Sequence, residues 1–129
     1  MTQPPRLIAP SDTSFSAELL RWAGGLARAL ERDRYTLDDV LERLVAGDAQ
    51  LWVEPDAAVV TEIGIYPRRK VLRAWLAAGT YEGIRRIEQA VIPWAKSYGC
   101  DAIEIIGRLG WRRRLKDYRE RAVTMTKEI

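Results

Sequence analysis

The residues with the densest chemical potential in this sequence are basic. Arg112, Arg113, Arg114, Lys116, Arg119 and Arg121 crowd together, with Trp111 beside them. On a helix, Arg112, Lys116 and Arg119 share one side while Trp111 and Leu115 turn inward. Such a face suits phosphates or an acidic protein surface. It is equally the composition of a solvated helix whose arginines pair with Asp117 and Glu120, each pair contributing little. A second basic group, Arg68, Arg69 and Lys70, reads as a turn between two strands. No nucleic-acid motif of known spacing accompanies either group, so any contact with nucleic acid is expected to be non-specific. Two carboxylates, Glu62 and Glu104, alternate with apolar residues in strand-like runs, the usual pattern of a solvent-facing side chain. With no histidine and one cysteine, Cys100, zinc centres and histidine-based triads are excluded, and no metal site is expected. Cys100 itself reads as a small buried residue.

The elements that must position these groups fit one domain, residues 1–129. Hydrophobic residues at 47% and charged residues at 30% are those of a globular chain that buries a core without disulfides. No apolar run approaches the roughly 18 residues of a membrane span. The first residues, Met-Thr-Gln-Pro-Pro-Arg, lack the apolar core of a signal peptide, and the single cysteine fits a reducing cytosol. Net charge is +3 but unevenly spread: residues 1–66 carry −5 and residues 67–129 carry +8. That split favours an anionic partner on the basic side.

Along the chain, Arg6–Ala9 reads as an edge strand among prolines. Ser11, Asp12 and Ser14 offer caps for a first helix with Leu19, Ala23, Leu26 and Leu30 on one stripe. Gly24-Gly25 within it suggests close packing or a bend. Thr36 with Asp39 resembles a capping box, Val40, Leu41, Leu44 and Val45 form an apolar face, and Gly47 is the expected stop. Gln50–Val53 and Ala57–Ile63 read as strands of a hairpin turning at Glu54-Pro-Asp56, followed by a third strand over Val71–Leu76 that runs out at Ala77-Ala78-Gly79. A helix over residues 80–98 places Ile84, Ile87, Val91, Trp94 and Tyr98 on one face, with a kink near Gln89 or a break expected from Pro93. Ala102–Ile106 reads as a further strand and Ala122–Thr126 as the last. Leu72, Leu76, Ile84, Ile87, Val91, Ile103 and Ile105 are the expected core.

This order resembles the GCN5-related N-acetyltransferase (GNAT) superfamily over nearly the whole chain, most closely from Lys70 to Ile129. The pattern Gly107-Arg108-x-Gly110-Trp111-x-Arg113-x-Leu115, and Thr61-Glu62-Ile63 ahead of Tyr66-Pro67-Arg68, are similar to small GNAT-like proteins of tailed phages and prophages. The resemblance implies an α+β fold with a mixed, twisted sheet flanked by helices. It implies an acetyl-CoA loop of pattern Arg/Gln-x-x-Gly-x-Gly/Ala, placed here at Gly79, Thr80, Tyr81 and Gly83, with Glu62 or Glu104 as base and Tyr118 as acid. In this sequence Leu76 stands in the Arg/Gln slot and Tyr81 in the second small-residue slot, so only Gly79 matches. Such loops need small residues because phosphates approach the backbone closely. The expectation is therefore a degenerate loop, no cofactor, and a virion-associated, assembly or interaction protein in the host cytoplasm or the virion. Its partner is expected to be an acidic protein surface, another phage protein or a second copy, met through Arg68, Arg69, Lys70, Arg112, Arg113, Lys116 and Arg119. The alternative is an active N-acyltransferase that uses acetyl-CoA through an atypical loop.

Overall fold

The computed structural model describes residues 3–107 and 110–129, apart from the Arg112 side chain. Its elements follow in the order β1 (Arg6–Ile8), α1 (Phe15–Ala29), α2 (Leu37–Ala46), β2 (Gln50–Glu54), β3 (Ala57–Tyr66), β4 (Arg69–Gly79), α3 (Tyr81–Ser97), β5 (Ala102–Ile105) and the single turn α4 (Trp111–Arg114). The five strands form one sheet in sequence order, antiparallel throughout except for the parallel pair β4–β5. Apolar residues on its two faces make two cores. One gathers Leu26, Val40, Leu44, Leu51, Val60 and Leu76 under α1 and α2; the other gathers Trp52, Val59, Leu72, Ile87 and Val91 under α3. Each such side chain fully withdrawn from water contributes about 1.5–3 kcal/mol.

Local rules account for several ends. The Thr36 hydroxyl accepts from the Asp39 N–H at 3.3 Å while the Asp39 carboxylate accepts from the Thr36 N–H at 2.8 Å, a complete capping box. Gly47 closes α2 at φ +81°, a conformation that costs a residue with a Cβ but not glycine. Gly25 of α1 lies against β4 so closely that a Cβ there would fall 2.8 Å from the Ala78 Cβ, so Gly25 serves close packing, whereas a Cβ on Gly24 would meet only an Arg28 nitrogen at 3.8 Å.

Three expectations are corrected. The break expected in α3 does not occur: the helix continues through Pro93, whose ring sits on the exposed side, where water can satisfy the carbonyl that loses its donor. Ala122–Thr126 is not a strand: residues 119–129 are exposed, and Thr126 accepts a hydrogen bond from Arg34 in the α1–α2 connection instead of pairing with β5. Of the expected core, Leu72, Leu76, Ile87 and Val91 are buried, whereas Ile84, Ile103 and Ile105 are only half-buried; all seven line one cavity.

That cavity follows from one irregularity in β4. Val60 pairs with Leu76 and Thr61 with Ala74, so Trp75 is an extra residue with no partner on β3. A bulge of this kind shifts side-chain alternation by one. Leu72 and Ala74 face α3, Trp75 and Leu76 face α1 and α2, and Ala77 returns to α3. The bulge lies where β4 and β5 part: their pairing covers Val71–Ala74 with Ala102–Ile105, after which β4 continues to Gly79 alone.

Candidate functional site

A cavity of about 580 Å³ fills the gap between the diverging ends of β4 and β5, roofed by α3 and the segment around α4. It lies at the carboxyl ends of two parallel strands, where open sheets most often bind ligands. Leu72, Ala74, Ile87, Val91, Ile103 and Ile105 give it an apolar floor, and Arg28, Arg85, Glu88, Arg114 and Tyr118 are among its polar edges.

The loop expected to hold phosphates, Gly79 to Gly83, forms one rim. Gly79 takes φ +103°, and a Cβ there would fall 2.1 Å from the Asp56 carbonyl oxygen and 2.6 Å from the Ala57 Cα. At Gly83 a Cβ would meet the Ala57 Cβ at 2.8 Å. Both glycines are thus explained by the β2–β3 hairpin packed against them. Thr80 caps α3, its hydroxyl accepting from the Gly83 N–H at 3.0 Å while its own N–H donates to Asp56 O at 2.9 Å. Tyr81 turns toward the cavity: its hydroxyl donates to the Arg114 carbonyl at 3.1 Å, and the Arg114 guanidinium lies 4.0 Å over its ring. Glu82 next to it is exposed.

Tyr118 lines the cavity and donates its hydroxyl to Glu88 of α3. Burial, and then the hydrogen bond to that carboxylate, push the phenol pKa well above its ordinary value, so it stays protonated. Arg85 grips Asp117 through two nitrogens at 3.1 and 3.2 Å and holds its carboxyl below the usual range; it also pairs with Glu88 at 3.3 Å. Asp117 and Tyr118 are therefore pinned to α3.

Glu62 and Glu104 lie elsewhere. Both bind Arg73, Glu62 at 3.1 Å and Glu104 at 2.9 Å, and Glu62 takes a second arginine, Arg43 of α2, at 2.7 Å. Tyr66 completes the group through its hydroxyl, 2.9 Å from an Arg73 nitrogen. Burial opposes the Arg73 charge, but the bonds to Glu104, Glu62 and Tyr66 outweigh it and drive the guanidinium pKa up. The network occupies the α2 side of the sheet, and neither glutamate lines the cavity, whereas Ile103 and Ile105 do.

The basic residues fall into two groups. Arg68, Arg69 and Lys70 stand at the β3–β4 turn, with Arg69 paired to Asp101 at 2.8 Å. Arg113, Lys116 and Arg119 are exposed near α4, beside the other end of β4, a strand length of about 30 Å away. The expected helical face is corrected: α4 ends at Arg114, so Lys116 and Arg119 are not on it, because Asp117 and Tyr118 are drawn to Arg85 and Glu88. The Arg112 side chain, like Arg108 of the phage-type pattern, lies outside the described residues.

Glu88 and Arg85 escaped the sequence reading. One signal was present: Glu88 is four residues after Ile84 and one after Ile87, a charge set within the apolar stripe of α3. Its partner Tyr118 lies 30 residues on, beyond any local rule.

Among the described residues no group of acids and cysteine could hold a metal, and no helix is long and apolar enough to cross a membrane. No family model and no curated protein matches the chain. Solved structures do. An aminoglycoside acetyltransferase from an uncultured soil metagenomic sample, in complex with trehalose, superposes with a TM-score of 0.65 at 10% identity, over 97% of this chain and 95% of that one. An acetyltransferase of Trypanosoma brucei gives 0.61 at 16%, over 100% of both chains, and the wild-type TTHA1254 protein of Thermus thermophilus gives 0.60 at 14%, over 98% and 97%. At such identities the likeness establishes the architecture: this chain has a GNAT-like α+β fold.

Proposed function

We propose that this is a GNAT-like protein with little or no acetyl-CoA-dependent transferase activity, which works by binding an acidic partner through its basic surfaces. The observation that carries the reading is the closure of the start of α3 by Tyr81 and Arg114. A pyrophosphate at a helix start needs free N–H groups and close approach to the backbone. Here Gly83 N–H is taken by Thr80, Thr80 N–H by Asp56, and the space beside Gly79 and Gly83 by the β2–β3 hairpin. Exposed Glu82 adds a negative charge at the same rim. The residues present do not fit the pyrophosphate of acetyl-CoA. The two carboxylates expected as base, Glu62 and Glu104, are both bound to Arg73. The resemblance of Gly110, Trp111, Arg113 and Leu115 to tailed-phage proteins makes another phage protein the partner of choice.

A second reading, an N-acyltransferase, is favoured by Tyr118, a protonated phenol at the cavity wall that could supply a proton to a departing thiolate.

Calorimetric titration with acetyl-CoA separates the two. The wild type should give no saturable heat, and Tyr81→Gly should bind measurably. Saturable wild-type binding with transfer to an amine acceptor overturns the proposal. For the partner, capture from prophage-induced lysate should fall with salt, because exposed charges are screened over about 8 Å at physiological ionic strength. It should also fall in Lys116→Glu/Arg119→Glu. Equal recovery by wild type and variant removes the basic surface from the proposal.

A further inference from the structure

The tip of the β3–β4 hairpin reaches past both neighbouring strands. Pairing of β3 with β2 stops at Thr61, and pairing of β4 with β5 starts at Val71, so residues 62–70 pair only with each other. The end of α3 packs beside this tip. The Asp101 N–H donates to the Lys70 carbonyl at 3.0 Å, and the Lys70 stem lies 3.8 Å from where a Cβ on Gly99 would sit. Next to Gly99, Tyr98 is 51% exposed, its ring tilted on Trp94 at 4.5 Å, and Trp94 in turn meets buried Trp52 edge-on at 5.5 Å. A chain of aromatic rings thus holds the last one fixed in water. Ile65, opposite Lys70, is 77% exposed on the same face, since Ile63 two residues before it packs under α3.

The charge at this end is one-sided. Residues 63–71 and 94–103 hold Arg68, Arg69, Lys70 and Lys96 against one acid, Asp101, which Arg69 occupies at 2.8 Å. Arg68, Lys70 and Lys96 have no carboxylate partner among the described residues. Arg68 and Lys96 are exposed, and Lys96 stands in the last turn of α3, two residues before Tyr98. Cations around a fixed, exposed ring suit a ligand that carries phosphates and flat bases together: the cations meet the backbone, and every base has a face for the ring. An acidic protein segment would use the cations and leave the ring idle. A duplex hides its base faces within the stack.

We propose that this end of the molecule binds single-stranded nucleic acid, with one base stacked on Tyr98 and the neighbouring phosphates met by Arg68, Lys70 and Lys96. Recognition of this kind tolerates any sequence, because it reads a ring face and a charged backbone rather than base edges. The inference goes beyond the acidic partner proposed above. It concerns a different ligand at the opposite end of β4 from the α4 surface, about 30 Å away, and it stands whether or not acetyl-CoA binds.

The test is fluorescence anisotropy of labelled oligo-dT and oligo-U titrated with the full chain, beside the same oligo-dT annealed into a duplex. Polyglutamate serves as a polyanion without bases. The expected result is saturable binding of the single strands, tighter than that of the duplex, with log K falling against log salt at a slope of about −2 for some three phosphates. Tyr98→Ala should weaken binding at least about fivefold, whereas Tyr98→Phe, which keeps the ring, should not. Arg68→Glu/Lys70→Glu, at positions outside both cores, should weaken it about tenfold or more and flatten the salt slope. Lys116→Glu/Arg119→Glu, the variant that tests the acidic-partner reading, should bind these strands as the wild type does, so either reading can fail without the other. Absence of saturable binding overturns the proposal. So does binding indifferent to Tyr98→Ala, or a duplex bound as tightly as a single strand. Displacement by polyglutamate as effective as by unlabelled oligonucleotide also overturns it, and makes an acidic protein face the occupant.

Discussion

Tyr81 and Arg114 hold each other twice: the phenol donates to the Arg114 carbonyl at 3.1 Å, and the Arg114 guanidinium covers the phenol ring at 4.0 Å. The first contact ties α4 to the start of α3, and the second covers the face of the ring. Tyr81→Phe keeps the ring and loses only the first. It should leave acetyl-CoA binding as weak as in the wild type, whereas Tyr81→Gly should raise it. Calorimetry on the pair tells whether the ring or its hydroxyl closes the site.

Gly79 and Gly47 separate conformation from crowding. Both take positive φ, +103° and +81°, but a Cβ on Gly79 strikes the Asp56 carbonyl and one on Gly47 meets nothing within 4 Å. Gly47→Ala should cost about 1–2 kcal/mol, the penalty of the left-handed region alone. Gly79→Ala should cost about 3 kcal/mol or more, because the β2–β3 hairpin must shift as well. Urea denaturation of the two variants measures the difference.

Arg73 keeps two carboxylates together. Replacing it by Met leaves Glu62 and Glu104 without their shared cation, with Arg43 still serving Glu62. Because the site is partly open to water, we expect a loss of about 2 kcal/mol at neutral pH rather than the larger cost of a fully buried pair. Chemical denaturation at neutral pH of the wild type and the variant measures the loss.

Tyr118 imposes a limit at the opposite end of the pH scale. Its phenol is raised by burial and by Glu88, so above about pH 10 the unfolded chain releases this proton before the folded one does. The sign follows: the contribution is complete below about pH 10 and declines as pH rises beyond it. Tyr118→Phe should cost about 1.5–3 kcal/mol at neutral pH, the worth of a hydrogen bond to a charged group, and its stability should fall less steeply between pH 10 and 11. Denaturation of the wild type and the variant at pH 8, 10 and 11 isolates this tyrosine from the others.

What the sequence determined by itself was whatever depends on near neighbours. The Thr36–Asp39 capping box, the Gly47 stop, the turn at Glu54-Pro-Asp56 and the apolar stripe of α3 each rest on contacts within a few residues, and each is found where the spacing put it, except that Tyr98 lies past the end of α3 and is exposed. Pro93 shows the limit of that reasoning: its local penalty is real, but exposure on the water side lets the helix continue. Tertiary structure decided the rest. Where Trp75 leaves the ladder depends on the registers of β3 and β4, and that bulge, together with the parting of β5, makes the cavity. That Tyr81 meets Arg114, that Tyr118 meets Glu88 and that Glu62 and Glu104 share Arg73 are contacts between side chains 30 or so residues apart or on different strands. Hydrophobic burial fixes such meetings by assembling whole elements, and no short-range pattern records them.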